Sequence, residues 1–435
     1  MICRFYVAAI DFGTTYSGYA FSVSHLKTKL PEVQILSNQA WNAGIRESVS
    51  LKTPTCLLLT KEKEIVSFGY EAENRYTDIV MDGEEDEYYY FYRFKMNLHE
   101  NQSISMGMLI EDVRGQTLPA NITLDDDTNW ILTVPAIWSD TAKLFMRKGA
   151  EMAGIAEDKL TLALEPEAAS IYCQTYPPPG SLDIVNTDCQ YLVVDLGGGT
   201  VDITAHEKLP DGTLKELSKA SGNNCGGTSV DKEFIQMMAD IFGQQVIDKL
   251  KHESPDSYLS LIRCFENVKR TITPNKAGLV NVAIPNIVLD NFCKSEYLKS
   301  IEEIVASCPK ASNIQLKNDK LRIEAKFTKS LFNPTINGII SLITTVLDEN
   351  EAQNISHILL VGGFAECALI QEAVKSAFPD RYVIVPEEAG LAVLKGAVLF
   401  RYQLNAISSR VTRCTYGVEI VRSFNPLTDE FHRGL

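Results

Sequence analysis

Two aspartates stand in the same setting, 184 residues apart. Asp11 closes the apolar run Tyr6-Val-Ala-Ala-Ile and is followed by Phe12-Gly-Thr-Thr; Asp195 closes Tyr191-Leu-Val-Val and is followed by Leu196-Gly-Gly-Gly-Thr. A glycine-rich turn lets backbone N–H groups approach phosphate oxygens, and the hydroxyls of adjacent threonines add donors. A carboxylate at each strand end, facing one cleft beside phosphates, suits the water shell of a Mg2+ ion. A single copy of such a turn is most often only a tight connection. Two copies, each resuming as a β-rich segment (Tyr19-Ala-Phe-Ser-Val and Val201-Asp-Ile-Thr-Ala), point to phosphate binding between two related halves.

The elements that must hold these turns can be traced in the pattern. The two runs, with His357-Ile-Leu-Leu-Val-Gly-Gly-Phe, are almost continuously apolar, as strands buried on both faces are. Ser139 caps a helix running to Gly154. Thr228 or Ser229 opens another, with Val230, Phe234, Met237, Met238 and Ile241 on its buried side. A third, from about Ser257 to Thr273, has Ile262, Phe265, Val268 and Ile272 on one face and Glu266, Lys269 and Arg270 on a polar one, and Pro274 ends it. The link Tyr176-Pro-Pro-Pro-Gly180 separates a first lobe, 1–180, from a second, 181–402, leaving 403–435 as the start of a further region. The acidic stretch Asp82 to Glu87, followed by Tyr88-Tyr-Tyr-Phe-Tyr92, reads as a solvated loop leading into a buried edge.

The 435 residues carry 41 Lys+Arg against 56 Asp+Glu, a formal charge of -15. This balance, without a basic block, argues against generic binding to nucleic acid or to an anionic membrane. No run of about 18 apolar residues and no signal h-region is visible, so the chain reads as soluble, cytoplasmic and without membrane insertion. Ten scattered cysteines without a C-x-x-C pair read as reduced, mostly buried thiols, and zinc has no support.

Neither a P-loop, nor G-x-G-x-x-G after a strand, nor a G-x-S-x-G elbow is present. What is present, Asp11-Phe-Gly-Thr-Thr-Tyr-Ser-Gly and Asp195-Leu-Gly-Gly-Gly-Thr-Val-Asp202, resembles the two phosphate loops of the 70-kDa heat-shock (DnaK-type) chaperones. The resemblance continues in order through Thr133-Val-Pro-Ala, Leu164-Glu-Pro-Glu-Ala-Ala, Gly226-Gly227 with Asp231, Glu266-Asn-Val-Lys-Arg270, Leu360-Val-Gly-Gly363 and Pro386-Glu-Glu-Ala to Gly396-Ala-Val. The wording around Asp11, at 212–217 and at 362–366 looks most like the divergent member-12 branch of that family.

The resemblance implies an α/β, actin-like ATPase (ribonuclease-H-like) fold, two related lobes flanking a nucleotide cleft. It implies ATP/ADP and Mg2+ as cofactors, with Gly13, Thr14, Thr15, Tyr16, Gly197, Gly198, Gly199 and Thr200 around the phosphates. Asp11, Asp195 and Asp202 would fix the waters of Mg2+. Lys95, in Arg93-Phe-Lys-Met, would position the attacking water beside Glu165, with Asp195 and Thr200 completing the catalytic set. Gly226, Gly227, Glu266, Lys269, Arg270, Gly362, Gly363, Phe364 and Glu366 would form the adenosine side. Co-chaperones or nucleotide-exchange factors are the implied partners.

Three departures from the family pattern stand out. Glu366 occupies the place of a cation, Lys143 that of an arginine, and the stretch after Tyr402 is too short for a peptide-binding domain, although Arg413-Cys-Thr-Tyr-Gly-Val-Glu-Ile resembles the opening of one. Three readings remain at this point: a slowly hydrolysing ATP switch, a nucleotide-binding scaffold without significant hydrolysis, and a small-molecule kinase of the same fold.

Overall fold

The computed structural model describes residues 4–25, 29–37, 51–95, 128–178, 182–349, 352–412 and 417. The first sheet grows around the first apolar run. Strand β1 (Arg4–Phe12) returns antiparallel as β2 (Tyr16–His25), setting Asp11 opposite Gly18. Both β3 (Ile35–Ser37) and the two-residue β4 (Thr53–Pro54) pair with β2. A small separate sheet, in the order β6-β5-β7, follows from β5 (Cys56–Thr60), β6 (Ile65–Phe68) and β7 (Tyr88–Tyr92), with helix α1 (Tyr70–Asp82) packed on it. The chain then re-enters the first sheet with β8 (Thr128–Val134), parallel to β1, and crosses over through α2 (Asp140–Met152) to β9 (Leu160–Leu164). Ser139 caps α2 as its sequence demands, accepting from Ala142 N at 3.2 Å. The order is β3-β2-β1-β8-β9.

Helix α3 (Glu165–Thr175) leads out of this sheet into β10 (Gln190–Leu196), the second apolar run. It returns antiparallel as β11 (Val201–Lys208), which pairs with β12 (Leu214–Asn223) and sets Asp195 opposite Asp202. Three helices follow: α4 (Gly227–Phe242), α5 (Gln244–Glu253) and α6 (Pro255–Arg270). A three-stranded unit of β13 (Leu279–Ala283), β14 (Ile314–Lys317) and β15 (Lys320–Glu324) is interleaved with α7 (Asn286–Tyr297) and α8 (Ile301–Ser307). After α9 (Ala325–Ser330) and α10 (Asn333–Leu347), β16 (His357–Val361) lies parallel to β10. Helix α11 (Ala368–Ala377), β17 (Tyr382–Ile384), α12 (Ala392–Phe400) and β18 (Ile407–Ser409) complete the elements of the described residues. The second sheet has the order β17-β16-β10-β11-β12-β18.

The two sheets repeat one plan, an antiparallel hairpin whose first strand has a parallel neighbour: β2-β1-β8 and β11-β10-β16. The main core of the second sheet lies between β10, β11 and the α4–α6 side, with Phe234 stacked on Phe265 at 3.9 Å between centroids. The first sheet packs α2 on one face and α12 on the other. Helices are exchanged between the halves. Residues Leu394, Ala397 and Val398 of α12 join Val7 and Ala9 of β1, while Ala169 and Cys173 of α3 join Tyr191 and Val193 of β10. The α3 and α12 backbones cross closely where Gly396 meets the Ala168 carbonyl.

Differences from the sequence reading are local. Helix α4 starts at Gly227 rather than at Thr228 or Ser229, because its first N–H groups bond to the neighbouring 197–199 turn. Of the eight described cysteines, all free, three are buried and five half-buried, since several lie at the margins of the cores. One helical stretch, Ala325–Leu347, is long and apolar enough to cross a membrane by composition; in the fold its Ile339 and Ile343 sit in the second core. The tyrosine run is an edge strand whose Tyr90 stacks on Tyr76 at 4.2 Å, and the acidic residues before it are exposed. The end of the proline link and the 413–416 and 418–420 part of the C-terminal motif lie outside the described residues.

Candidate functional site

The two Gly/Thr turns meet face to face. Thr15 fills the space that a side chain at position 198 would need, so only glycine lets the turns approach this closely. The second turn is braced from below by the start of α4: Gly227 N donates to Gly197 O (3.1 Å), Thr228 N to Gly198 O (2.8 Å) and Gly226 N to Gly199 O (3.3 Å). The first is strapped by the segment around β4, where Thr55 N donates to Thr15 O (2.9 Å) and Thr55 Oγ1 to Gly13 O (2.7 Å).

Below the turns lie four buried carboxylates: Asp11, Asp195, Asp202 and Glu165. Asp11 Oδ1 accepts from Thr133 Oγ1 (2.8 Å) and Oδ2 from Lys52 Nζ (2.7 Å). Burial raises the Asp11 carboxyl, but the Lys52 and Lys95 ammoniums and these hydrogen bonds outweigh it and hold the group below its usual range. Asp202 Oδ1 accepts from Ile137 N at 3.0 Å, tying the second hairpin to the first half.

Lys95 Nζ donates to Glu165 Oε1 at 2.8 Å and lies 5.2 Å from the Trp138 ring; only 2% of the lysine is exposed. It is carried there by Phe94, which packs at 5.8 Å on Phe12, the neighbour of Asp11. Burial pushes Glu165 up to about 7 against the opposing pull of Lys95, with Asp11 and Asp202 adding to the rise. Burial, followed by the Glu165, Asp202 and Asp11 carboxylates, drives Asp195 well above its ordinary value. Such an excess of buried negative charge, on hard oxygen donors, fits a small divalent cation carrying its own waters. Among the described residues no three His, Cys, Asp or Glu side chains converge to hold a metal directly.

The polar stripe of α6 turns inward. Lys269, read from the sequence as part of a polar face, is buried. Its ammonium donates to Asp231 Oδ1 (2.6 Å), Glu266 Oε2 (3.0 Å) and Gly227 O (3.1 Å). The reason is tertiary, because α4 brings Asp231 beneath that face. Against the opposing effect of burial, Lys269, Arg93 and Arg270 hold the Glu266 carboxyl down at about 2. Arg270 stays exposed and lies 5.3 Å from the Tyr16 ring centroid, across from the first turn.

Gly362 has φ +87°, and a side chain there would collide with Asp195 Oδ1, so the turn after β16 backs directly onto the carboxylate cluster. Gly363 faces open space, and Phe364 packs on Gly227. Glu366 Oε1 accepts from Gly390 N at 3.2 Å, so its carboxylate tethers the 389–391 turn.

The fold therefore gathers Asp11, Thr15, Lys95, Glu165, Asp195, the 197–200 turn and Asp202 at one end of a cleft. Glu266, Lys269, Arg270 and the 362–366 turn stand beside it. Sequence reasoning missed Lys52 and Arg93. Lys52 lies 41 residues from Asp11 in sequence, outside any motif. Arg93, the residue after β7, reaches Asp231 Oδ2 (2.8 Å) and Glu266 Oε2 (3.4 Å). Its one local signal is its position two residues before Lys95.

The family model described as Hsp70 protein matches residues 100–401. The chain is 35% identical to human Heat shock 70 kDa protein 12B over 97% of its own length and 72% of that protein. It is 32% identical to human Heat shock 70 kDa protein 12A over 96% of itself and 72% of that protein. It is 24% identical to Chaperone protein DnaK of Thermotoga neapolitana, over 67% of this chain and 45% of that protein. With the family model lying over the second turn and its carboxylates and the relatives extending over nearly the whole chain, the chain belongs to the Hsp70 family and contains its nucleotide-binding domain, of actin-like ATPase fold.

Proposed function

We propose that this chain binds ATP and ADP with Mg2+, hydrolyses ATP slowly, and acts as a nucleotide-driven conformational switch. The observation that carries the reading is the buried Lys95–Glu165 pair, 2.8 Å apart, beneath two apposed Gly/Thr turns. Phosphoryl transfer to water needs positioning and charge neutralisation more than covalent chemistry. In this reading the turn N–H groups and Thr14, Thr15 and Thr200 cradle the phosphates. Lys95 orients the attacking water and Glu165 accepts from that ammonium and holds it in place. Asp11, Asp195 and Asp202 hold the waters of Mg2+, which supplies neutralisation of phosphate charge. Glu266 and Arg270 face the ribose and base, with Lys269 holding Glu266 in place from the buried side and Gly363 leaving room for the ring. Closure follows from contacts made to both halves at once, since a ligand shifts a conformational equilibrium only by its differential affinity. Co-chaperones or exchange factors, in the cytoplasm, are the corresponding partners.

One observation favours a second reading, a nucleotide-held scaffold without turnover. Glu366 is engaged with the Gly390 backbone, where the family pattern has a cation for the base. Calorimetric titration with ATP and ADP, followed by single-turnover hydrolysis, separates the two. Mg2+-dependent binding with hydrolysis that disappears in Lys95→Ala supports the switch. Tight binding with no hydrolysis in the unmodified protein supports the scaffold, and no binding refutes both.

A further inference from the structure

Asp11 has no uncommitted carboxylate oxygen. Oδ1 is held by Thr133, and Oδ2 by Lys52 in a 2.7 Å ion pair. A cation whose waters used Asp11 would have to share Oδ1 with the Thr133 hydroxyl, or share Oδ2 with the ammonium or displace it.

Lys52 is aimed with care. The next two residues, Thr53 and Pro54, form β4 against Ser17 and Tyr16. Thr55 bonds to Gly13 O, to Thr15 O through its N–H, and to the Ser17 hydroxyl at 2.8 Å. The lysine stem passes over Gly18, where a Cβ would stand 2.9 Å from the Lys52 Cγ, and Gly18 is the register partner of Asp11. The strap that shapes the first turn thus also delivers an ammonium to the strand end below it. With 19% of its side chain exposed, Lys52 is not sealed from solvent. It is separate from Lys95, which pairs with Glu165.

We propose that Lys52 is a tethered counter-cation that competes with Mg2+ for Asp11 and partly replaces it toward the nucleotide phosphates. This inference rests on the nucleotide-binding reading above. A lysine ammonium serves a phosphate as a point charge, and charge-assisted hydrogen bonds of this length are strong. When the divalent ion is scarce, Lys52 screens the phosphates from the carboxylate cluster; when it is abundant, Lys52 yields Asp11 to the hydrated ion and turns to a phosphate oxygen. Nucleotide is therefore held with an unusually small dependence on Mg2+.

The test is calorimetric titration of ADP and ATP into the whole chain, in Mg2+ and in EDTA, for the unmodified protein, Lys52→Met and Lys52→Arg. The unmodified protein is expected to lose less than about tenfold in affinity on removal of Mg2+, and Lys52→Met about a hundredfold or more, with Lys52→Arg close to the unmodified protein. A second measurement uses Mn2+ alone as the probe, read by electron paramagnetic resonance without nucleotide. Lys52→Met, with Oδ2 released, should bind Mn2+ more tightly than the unmodified protein.

Equal Mg2+ dependence in the unmodified protein and Lys52→Met, with nucleotide bound by both, overturns the proposal and leaves the nucleotide reading intact. So does a hundredfold loss in the unmodified protein, a result that stands even where Lys52→Met does not fold. Absence of nucleotide binding under every condition overturns both.

Discussion

Glu165 and Glu167, two residues apart in the first turn of α3, are held by cations from different parts of the molecule. Lys95 reaches Glu165 Oε1 at 2.8 Å on the cleft side. Arg410, just beyond β18, grips both oxygens of Glu167 through Nε (2.6 Å) and Nη2 (2.9 Å). One helix end thus joins the cleft to the segment by which the chain leaves the second sheet. Acidic side chains in a first turn are favoured by the helix dipole, so both carboxylates suit their place before any partner arrives.

The clamp on the exit segment can be released selectively. Glu167→Gln removes the bidentate charge while keeping the shape, leaving the exit segment held by the β18–β12 pairing and by Val411 N on Glu216 Oε2 at 2.7 Å. A charge-assisted pair of this geometry contributes about 1 to 3 kcal/mol locally. Amide exchange of residues 407–411 is expected to quicken by about tenfold to a hundredfold, with the β10 and β11 amides unaffected. Unchanged exchange in that segment would show that the strand pairing alone secures it.

The carboxylate cluster gives a pH signature. A carboxyl whose folded pKa exceeds its unfolded value binds its proton more tightly in the fold. Its contribution favours folding below the unfolded value near 4.5 and is lost as pH rises through the folded value, about 7 for Glu165. Glu165→Gln removes this loss and keeps an acceptor for Lys95. Relative to the unmodified, nucleotide-free protein, the thermal midpoint of Glu165→Gln should move upward between pH 5 and pH 8, by an amount corresponding to at most about 3 kcal/mol. A difference that is flat across that range means Glu165 is ionised throughout.

Arg93 makes the contact between the halves that is easiest to cut. Arg93 follows β7 directly, with φ +52°, and its guanidinium reaches Asp231 and Glu266 on α4 and α6. Removal by Arg93→Met leaves those carboxylates with Lys269, so folding should survive while the closed cleft loses about 1 to 2 kcal/mol. Release of a fluorescent ADP analogue followed by stopped flow should then be about fivefold to thirtyfold faster, with the association rate little changed. Equal release rates would place closure elsewhere, the Arg263–Glu73 pair (3.0 Å) between α6 and α1 being the next contact to cut.

What the sequence disclosed follows the range of its signals. The strand ends at Asp11 and Asp195, their returning strands and the Ser139 cap are encoded within ten or so consecutive residues, and the duplication made one half a check on the other. That Lys269 is buried on Asp231 was not legible, because a helical face shows polarity but not its neighbour; α4 supplies Asp231 from 38 residues away. Lys52 and Arg410 lie further from reach. One is aimed by a two-residue strand and the other by the three-residue Ile-Ser-Ser of β18, both too short to carry periodicity. Their partners are 41 and 243 residues distant. Charge pairing across such separations is fixed by packing, which hydrophobic pattern specifies only as a face.

His206, in the middle of β11, is wholly buried, and neither ring nitrogen has a hydrogen-bond partner among the described residues. Its ring stands edge-on to Tyr191 at 5.8 Å, a contact that needs an aromatic but not a nitrogen. Burial, with a smaller push from Arg410, lowers its pKa to about 4. A base depressed in this way contributes stability above its unfolded value near 6.5 and loses it as pH falls toward 4. His206→Phe keeps the edge contact and removes two unpaired nitrogens, so it should raise stability at pH 7 by about 1 to 2 kcal/mol. The gain should widen below pH 6.5, where the histidine of the unfolded chain takes up a proton that the buried one refuses. Thermal midpoints of both proteins at pH 7.5, 6 and 5 measure this directly, and His206→Leu separates ring size from polarity. If both variants lose stability at pH 7.5, the ring nitrogens are satisfied by ordered water, and the site is a hydrated one within the sheet core.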